Sequence, residues 1–311
     1  MNILIINLHS ARNLGDDAIL YETINGLKEI FPYASLTLAA TDPDSWHRYC
    51  YDPSIKVIAS FTAWVMYIKN GHWRARLSAA IIDIPLLILA ALLYRLLRVK
   101  LLFGTKEKRH LLSAYYDADL VVSCGGGNLY AHFWLSPFFL MSLMALGFAI
   151  IIKKRIIMLP QSIGPIQGSL QRWITKILLN QVDKIMVREP RSADFLQKII
   201  RLRKQVTLVP DLAFAPTPIK CSPLLCDVES NFLKIGVTAI DRAAQTRKKA
   251  FTAIQQAAYE NLLVSALTEI SRRYTARIYL FPQCTGPDLS HDDRKVLQRI
   301  YIRLQEQGIQ A

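Results

Sequence analysis

The chain is expected to be an α/β protein built on a mostly parallel sheet with helices on both faces. Three observations predict this. Short, nearly continuous apolar runs recur, at Ile3 to Leu8, Asp119 to Ser123, Arg155 to Leu159 and Lys184 to Val187, and such runs suit strands buried on both faces. Between them lie longer segments with apolar residues at helical spacing, as in Ile19, Leu20, Ile24, Leu27 and Ile30. Several of the runs also stop at glycine, proline or a polar residue, and the carboxyl ends of strands are where an open α/β sheet holds its ligands.

Ile3 to Leu8 opens the chain as a strand, and Asp16 or Asp17 is expected to cap a helix running towards Phe31. Ser35 to Ala39 and Lys56 to Ala59 read as short strands, and the region 61–108 as largely helical. Within it, Ala79 to Leu97 carries Asp83 and Pro85 early, then an apolar run from Leu86 to Leu96 broken only by Arg95, with basic residues after it. Two readings stay open for that segment: a helix packed on the sheet, or one lying in a membrane interface. Leu135 to Ile152 holds no charge and has the length of a spanning helix. Because it connects a glycine-rich turn to the strand at Arg155, a buried crossover helix is expected instead. A helix from about Leu170 to Asn180 and a last strand, Val206 to Val209, complete a first domain over 1–215.

Pro216, Pro218 and Pro223 mark 216–230 as a linker. A second α/β unit, 231–311, then offers strands Leu233 to Thr238 and Arg277 to Phe281. Helices are expected over Ala257 to Arg273 and from Asp292, a candidate N-cap, to Gln305, with His291 and Asp293 part of that helix start. Two strands and two helices make a small domain, so this second lobe is expected to be incomplete and the chain a piece of a longer protein.

A composition of 52% hydrophobic and 20% charged residues excludes extended disorder. The net charge of +14 favours an acidic partner, whether anionic lipid or a phosphorylated substrate. No zinc-finger spacing, RNP-like aromatic motif or basic zipper is present, so nucleic acid is not expected. The five cysteines form no C-x-x-C pair and no metal spacing, and the N-terminus has no signal-peptide pattern. A reduced, cytoplasmic protein without a metal is expected, with Cys124 a small buried hydrophobe.

Candidate site residues sit where strands end. Asn13 and Gly15 follow the first strand, at a helix N-terminus that attracts anions. Gly125, Gly126 and Gly127 follow the run Asp119 to Ser123 and can aim backbone amides at a ligand, although neither the dinucleotide fingerprint nor a P-loop is present. Gln161 and Ser162 lie in a polar turn bracketed by Pro160 and Pro165. Arg188 and Arg191 suit a carboxylate or phosphate, because a guanidinium fork grips such groups with two hydrogen bonds. Glu189 is the acid/base candidate, Asp211 a capping or orienting residue, and His9 and His132 are expected to be structural.

Five segments then form an ordered set: Asn13-x-Gly15-Asp16, the strand into Gly125–Gly127, Pro160 to Pro165, Val187 to Ser192, and Pro210 to Phe214. Together they resemble the polysaccharide pyruvyl transferase family, and the resemblance continues through KIGVTAI and YLFPQ in the second half. It implies a glycosyltransferase-B-like fold of two Rossmann-like lobes. The implied activity is transfer of pyruvate from phosphoenolpyruvate to a saccharide of a cell-surface polysaccharide precursor, forming a pyruvate ketal. Phosphoenolpyruvate would then be a donor substrate, with no cofactor, and the acceptor a saccharide or lipid-linked glycan. Arg188 is expected as the main anion clamp and Arg191 as a secondary one, with the Gly125–Gly127 amides and the Gln161/Ser162 segment assisting. Members of that family carry an Arg-x-His segment late in the second lobe, and no such tripeptide occurs in this chain. Two alternatives therefore stay open: a nucleotide-sugar-dependent glycosyltransferase on the same scaffold, and a non-catalytic, membrane-associated remnant. Lipid-linked acceptors also lead to an expectation of peripheral contact with anionic membrane through Leu86 to Arg109.

Overall fold

The computed structural model describes residues 1–49, 52, 55–66, 73–131, 136–215, 232–242, 253–286 and 292–310. The chain divides into two compact units, one of residues 1–11 and 16–215, the other of 12–15 and 216–311. The expected linker, His132 and His291 lie outside the described residues.

The first unit is a doubly wound parallel sheet. Its strands are β1 (Asn2–Leu8), β2 (Ser35–Ala40), β3 (Lys56–Ala59), β4 (Leu120–Ser123), β5 (Gly126–Ala131), β6 (Arg155–Ile166), β7 (Lys184–Val187) and β8 (Val206–Leu208). They run in the order β3-β2-β1-β4-β6-β7-β8, with β5 pairing β6 off this path, and every pairing is parallel. The order reverses between β1 and β4, the topological switch point at which such sheets open a ligand crevice.

The apolar strand runs follow from this layering. In β1, Leu4 and Ile6 enter one core while Ile3, Ile5 and Leu8 enter another on the opposite face. The second core is closed by Ile19, Leu20 and Leu27 of helix α1 (Leu14–Ile30). After α2 (Pro43–Tyr49) and α3 (Phe61–Met66), α4 (Trp73–Leu97) and α5 (Lys106–Asp117) cover the first core with α6 (Pro137–Ile151). Phe139, Leu146 and Ala149 of α6 are wholly buried, so the charge-free stretch is core, as its crossover position requires. No helix among the described residues is long and apolar enough to cross a membrane.

The second unit has β9 (Leu233–Val237) parallel to β10 (Ala276–Leu280), packed under α9 (Ala253–Tyr274) and α10 (Asp293–Glu306). Val264, Leu267, Ile278, Val296, Ile300 and Leu304 form its core. Asp292 caps α10 as expected, its side chain accepting the Arg294 amide at 3.2 Å.

Two sequence expectations are corrected here. Residues 160–166 are not a turn: β6 continues through them to Ile166. Both prolines sit where the register slips, one extra β6 residue falling between Met158 and Gln161 and another between Ile163 and Ile166. Bulges are where a strand tolerates proline. Nor are Gly126 and Gly127 in a loop, since they begin β5 and pair along the same stretch of β6.

Candidate functional site

Arg188 follows the last residue of β7 and is the hub of the site. Its Nε donates to Ser162 Oγ at 2.8 Å, and its Nη1 donates to Asp211 Oδ2 at 2.6 Å. Asp211 uses its other oxygen to accept the Ala213 amide at 3.1 Å, starting a short 3-10 turn over Leu212–Phe214. It therefore both caps and orients. The third guanidinium nitrogen, Nη2, has no hydrogen-bond partner among the described residues, and a Cβ built on Gly127 would stand 3.8 Å from it. Two of the three nitrogens fix the fork, and the third is left to present.

The neighbouring glycines serve different needs. A Cβ on Gly125 would meet the Pro160 carbonyl at 2.7 Å and Ile19 at 3.0 Å, so only glycine lets β4 and β6 approach so closely there. Gly126 holds φ at +121°, and its Cβ position is 3.8 Å from Asp16 Oδ1. Asp16 and Arg188 thus flank consecutive residues of one strand. Asp16 lies in the first turn of α1, a place that favours negative charge. Burial outweighs that and lifts its carboxyl to about 6, with the Arg188 charge pulling the other way. Its ion-pair partner is His9, Nδ1 to Oδ2 at 3.8 Å. His9, just past β1, also packs its ring against Phe138. Burial likewise pushes the Cys124 thiol up to about 12, so it stays an inert hydrophobe.

Glu189 is engaged in holding the backbone. Its Oε1 accepts from Ser192 Oγ at 2.8 Å, while that oxygen accepts the Ile163 amide at 2.9 Å. These bonds tie the start of α8 (Pro190–Asp194), the helix after α7 (Ser169–Leu179), to β6, which keeps Ser162 beside Arg188. Arg191 is exposed on α8 and makes no side-chain hydrogen bond among the described residues. Gln161 is buried, its Nε2 donating to Leu159 O at 3.4 Å and its Oε1 unpartnered. Asn13 and Gly15 belong to the second unit, where Asn13 bridges Cys284 and Leu14 N donates to Gln283 O at 2.9 Å. Asn13 Oδ1 accepts the Gly15 amide at 3.0 Å, so Asn13 is the cap of α1 and the two aspartates are not.

The sheet thus brings Arg188, Ser162, Gly126 and Gly127 together with Asp16 and Asp211, past the ends of β1, β4, β7 and β8 and along the bulged half of β6. A family model for polysaccharide pyruvyl transferase matches residues 13–306. The chain belongs to that family. A search of curated proteins returned no match. Among solved structures, a putative UDP-N-acetylglucosamine 2-epimerase from Listeria monocytogenes is similar, with 11% sequence identity and a TM-score of 0.48. The similarity covers 96% of this chain and 65% of that one, so this chain spans less than two thirds of the epimerase's length.

Family membership gives the cluster its context. The sequence predicts that Asp16 or Asp17 caps the helix, a place that Asn13 takes instead. The signal that separates Asp16 from Asp17 is its place opposite the glycine run, which needs the β4–β5 geometry to be known. The described residues contain no group of three or more His, Cys, Asp and Glu side chains able to hold a metal ion.

Proposed function

We propose that the chain transfers pyruvate from phosphoenolpyruvate to a saccharide of a cell-surface polysaccharide precursor, forming a pyruvate ketal. The observation that carries this reading is the fixed Arg188 fork, its Nη2 unpartnered among the described residues beside Gly127, with a protonatable carboxyl, Asp16 of α1, opposite the adjacent Gly126. Phosphoenolpyruvate presents a carboxylate and a phosphate, and a guanidinium held on two sides meets such an anion without reorganising. Arg191 and the amides of Gly125–Gly127 are the secondary anion donors in this reading. Gln161 and Ser162 complete the substrate-binding set of the first unit, Ser162 by orienting Arg188.

The reaction needs an acid. Protonation of the enol methylene carbon leaves a cationic centre at the adjacent carbon, which a sugar hydroxyl attacks while giving up its proton. Loss of phosphate and attack by a second hydroxyl of the same sugar close the ketal. A carboxyl that titrates near 6 is half protonated there and matches an acid/base role near neutrality. Asp16 fits that step better than Glu189, which is held by Ser192. The acceptor would be a saccharide or lipid-linked glycan, and the protein would act in the cytoplasm.

Calorimetric titration of the chain with phosphoenolpyruvate and with nucleotide sugars tests the donor. Saturable phosphoenolpyruvate binding that Arg188→Ala abolishes is the expected result. Binding of a nucleotide sugar with no response to phosphoenolpyruvate would instead make it a glycosyltransferase.

A further inference from the structure

Helix α4 carries an apolar face that no described residue covers. Leu87, Ala90, Ala91 and Tyr94 turn inward and are buried. Lys108 ties the helix down from α5 by pairing with Asp83. On the other side stand Ile82, Leu89, Leu92 and Leu96, exposed at 58%, 48%, 42% and 75%. With Pro85 these residues recur at spacings of three and four, so they form one stripe along the helix, about 20 Å from Ile82 to Leu96. The stripe does not end with the helix: Leu97, Val99 and Leu102 are exposed as well.

The charges beside it are of one sign. Arg95, Arg98, Lys106 and Arg109 are all exposed, and none takes part in an ion pair among the described residues. Lys100 is paired with Asp117. Glu107 is the one exposed acid between residues 82 and 110. A seam built for a second helix is normally flanked by charges of both signs that pair across the contact. Two copies of this surface would bring like charges together on chains that each carry +14. Apolar side chains interleaved with lysine and arginine suit a layer of anionic headgroups, with the apolar groups at the acyl boundary and the cations at the phosphates.

We propose that the outer stripe of α4, continued through Val99 and Leu102 and bordered by Arg95, Arg98, Lys106 and Arg109, is a docking face for an anionic lipid surface, on which α4 lies flat. This is independent of the donor assignment, since none of these residues belongs to the Arg188 cluster.

Flotation with vesicles of phosphatidylcholine mixed with phosphatidylglycerol, against phosphatidylcholine alone, tests it on the full chain. The protein is expected to float with the anionic vesicles and to bind the neutral ones far more weakly. The double variant Lys106→Gln/Arg109→Gln should lose about thirtyfold in affinity for the anionic vesicles, with the remaining binding less sensitive to salt. The variant Leu89→Glu/Leu96→Glu, at exposed positions that leave the core intact, should remove the part of binding that resists high salt. Wild-type protein that stays unbound with anionic vesicles at low salt would overturn the proposal. So would a leucine variant that binds like wild type, or a dimer in light scattering that the leucine variant disperses without any vesicle binding.

Discussion

Two carboxylates, the buried Glu260 and the half-buried Asp16, stand beside arginines in this molecule, one in each unit, and their pKa values shift in opposite directions. Glu260 of α9 is almost fully buried, and burial alone would push its carboxyl up. Hydrogen bonds from Arg299, at 2.6 Å and 3.2 Å, and from Gln256, at 3.0 Å, overcome this and hold it below the usual glutamate value. Asp16 also suffers burial, but Arg188 spends its hydrogen bonds on Ser162 and Asp211 and reaches Asp16 only through its charge. The result is a carboxyl raised to about 6. A satisfied buried carboxylate braces a fold. One that meets its neighbouring arginine through charge alone keeps its proton within reach of chemistry.

The largest consequence of this contrast is for Arg188. Arg188→Ala should lower kcat/KM about a thousandfold, the upper end of what one anion-stabilising donor contributes, with little change in the unfolding midpoint beyond that of a surface ion pair. A strongly destabilised variant with normal turnover would turn Arg188 into a brace like Arg299. Next comes Arg299→Ala, expected to cost about 3 kcal/mol of stability because it leaves Glu260 buried and short of partners. The value sits at the low end because Arg303 remains 3.6 Å away and Arg299 is itself 41% exposed. Denaturant unfolding of the chain reads it. The stability that Glu260 contributes is present above its ordinary value of 4.5 and is lost as pH falls through its lowered folded value.

For Asp16 the sign reverses. Its folded value of about 6 exceeds the ordinary 3.8, so its ionisation opposes folding increasingly as pH rises between them and fully above 6. Asp16→Asn should therefore stabilise the protein by about 2 kcal/mol near pH 7, with no gain below pH ~4, while abolishing transfer. Urea midpoints at the two pH values check this, and a destabilised variant at neutral pH would mean that Asp16 is a brace too. The smallest effect is expected at Gly127. Its Cβ would make only ordinary contact with Arg188 Nη2, so Gly127→Ala should shift stability by less than about 1 kcal/mol yet raise the KM for the donor several-fold. Gly125→Ala, aimed at the Pro160 carbonyl, should be the destabilising one of the pair.

The strands that position the site were legible because burial on both faces writes itself as an uninterrupted apolar run. Lys184 to Val187 has the same bounds in the sequence reading and in β7. Arg188 was legible for the same reason, since it is the first residue past such a run. Residues 160–166 were not, because two prolines and a glycine look like turn punctuation unless the bulges that accommodate them are known. The shifted carboxyl of Asp16 was not legible either, on other grounds. Its raised pKa depends on burial and on the charge of Arg188, more than a hundred residues away in sequence, and no local pattern encodes that. Glu189 was drawn into the site by its place beside Arg188, yet its side chain reaches Ser192 instead.

The bulged half of β6 also limits how this protein can change over evolutionary time. Ser162 is held between β5 and β7, and side chains along a strand alternate between faces. Adding or deleting one residue between Pro160 and Ile163 would exchange the buried Gln161 and Ile163 with the half-exposed Ser162 and Gly164. An ordinary surface loop tolerates changes in length. This segment, which reads like a loop, can diversify only by substitution at constant length.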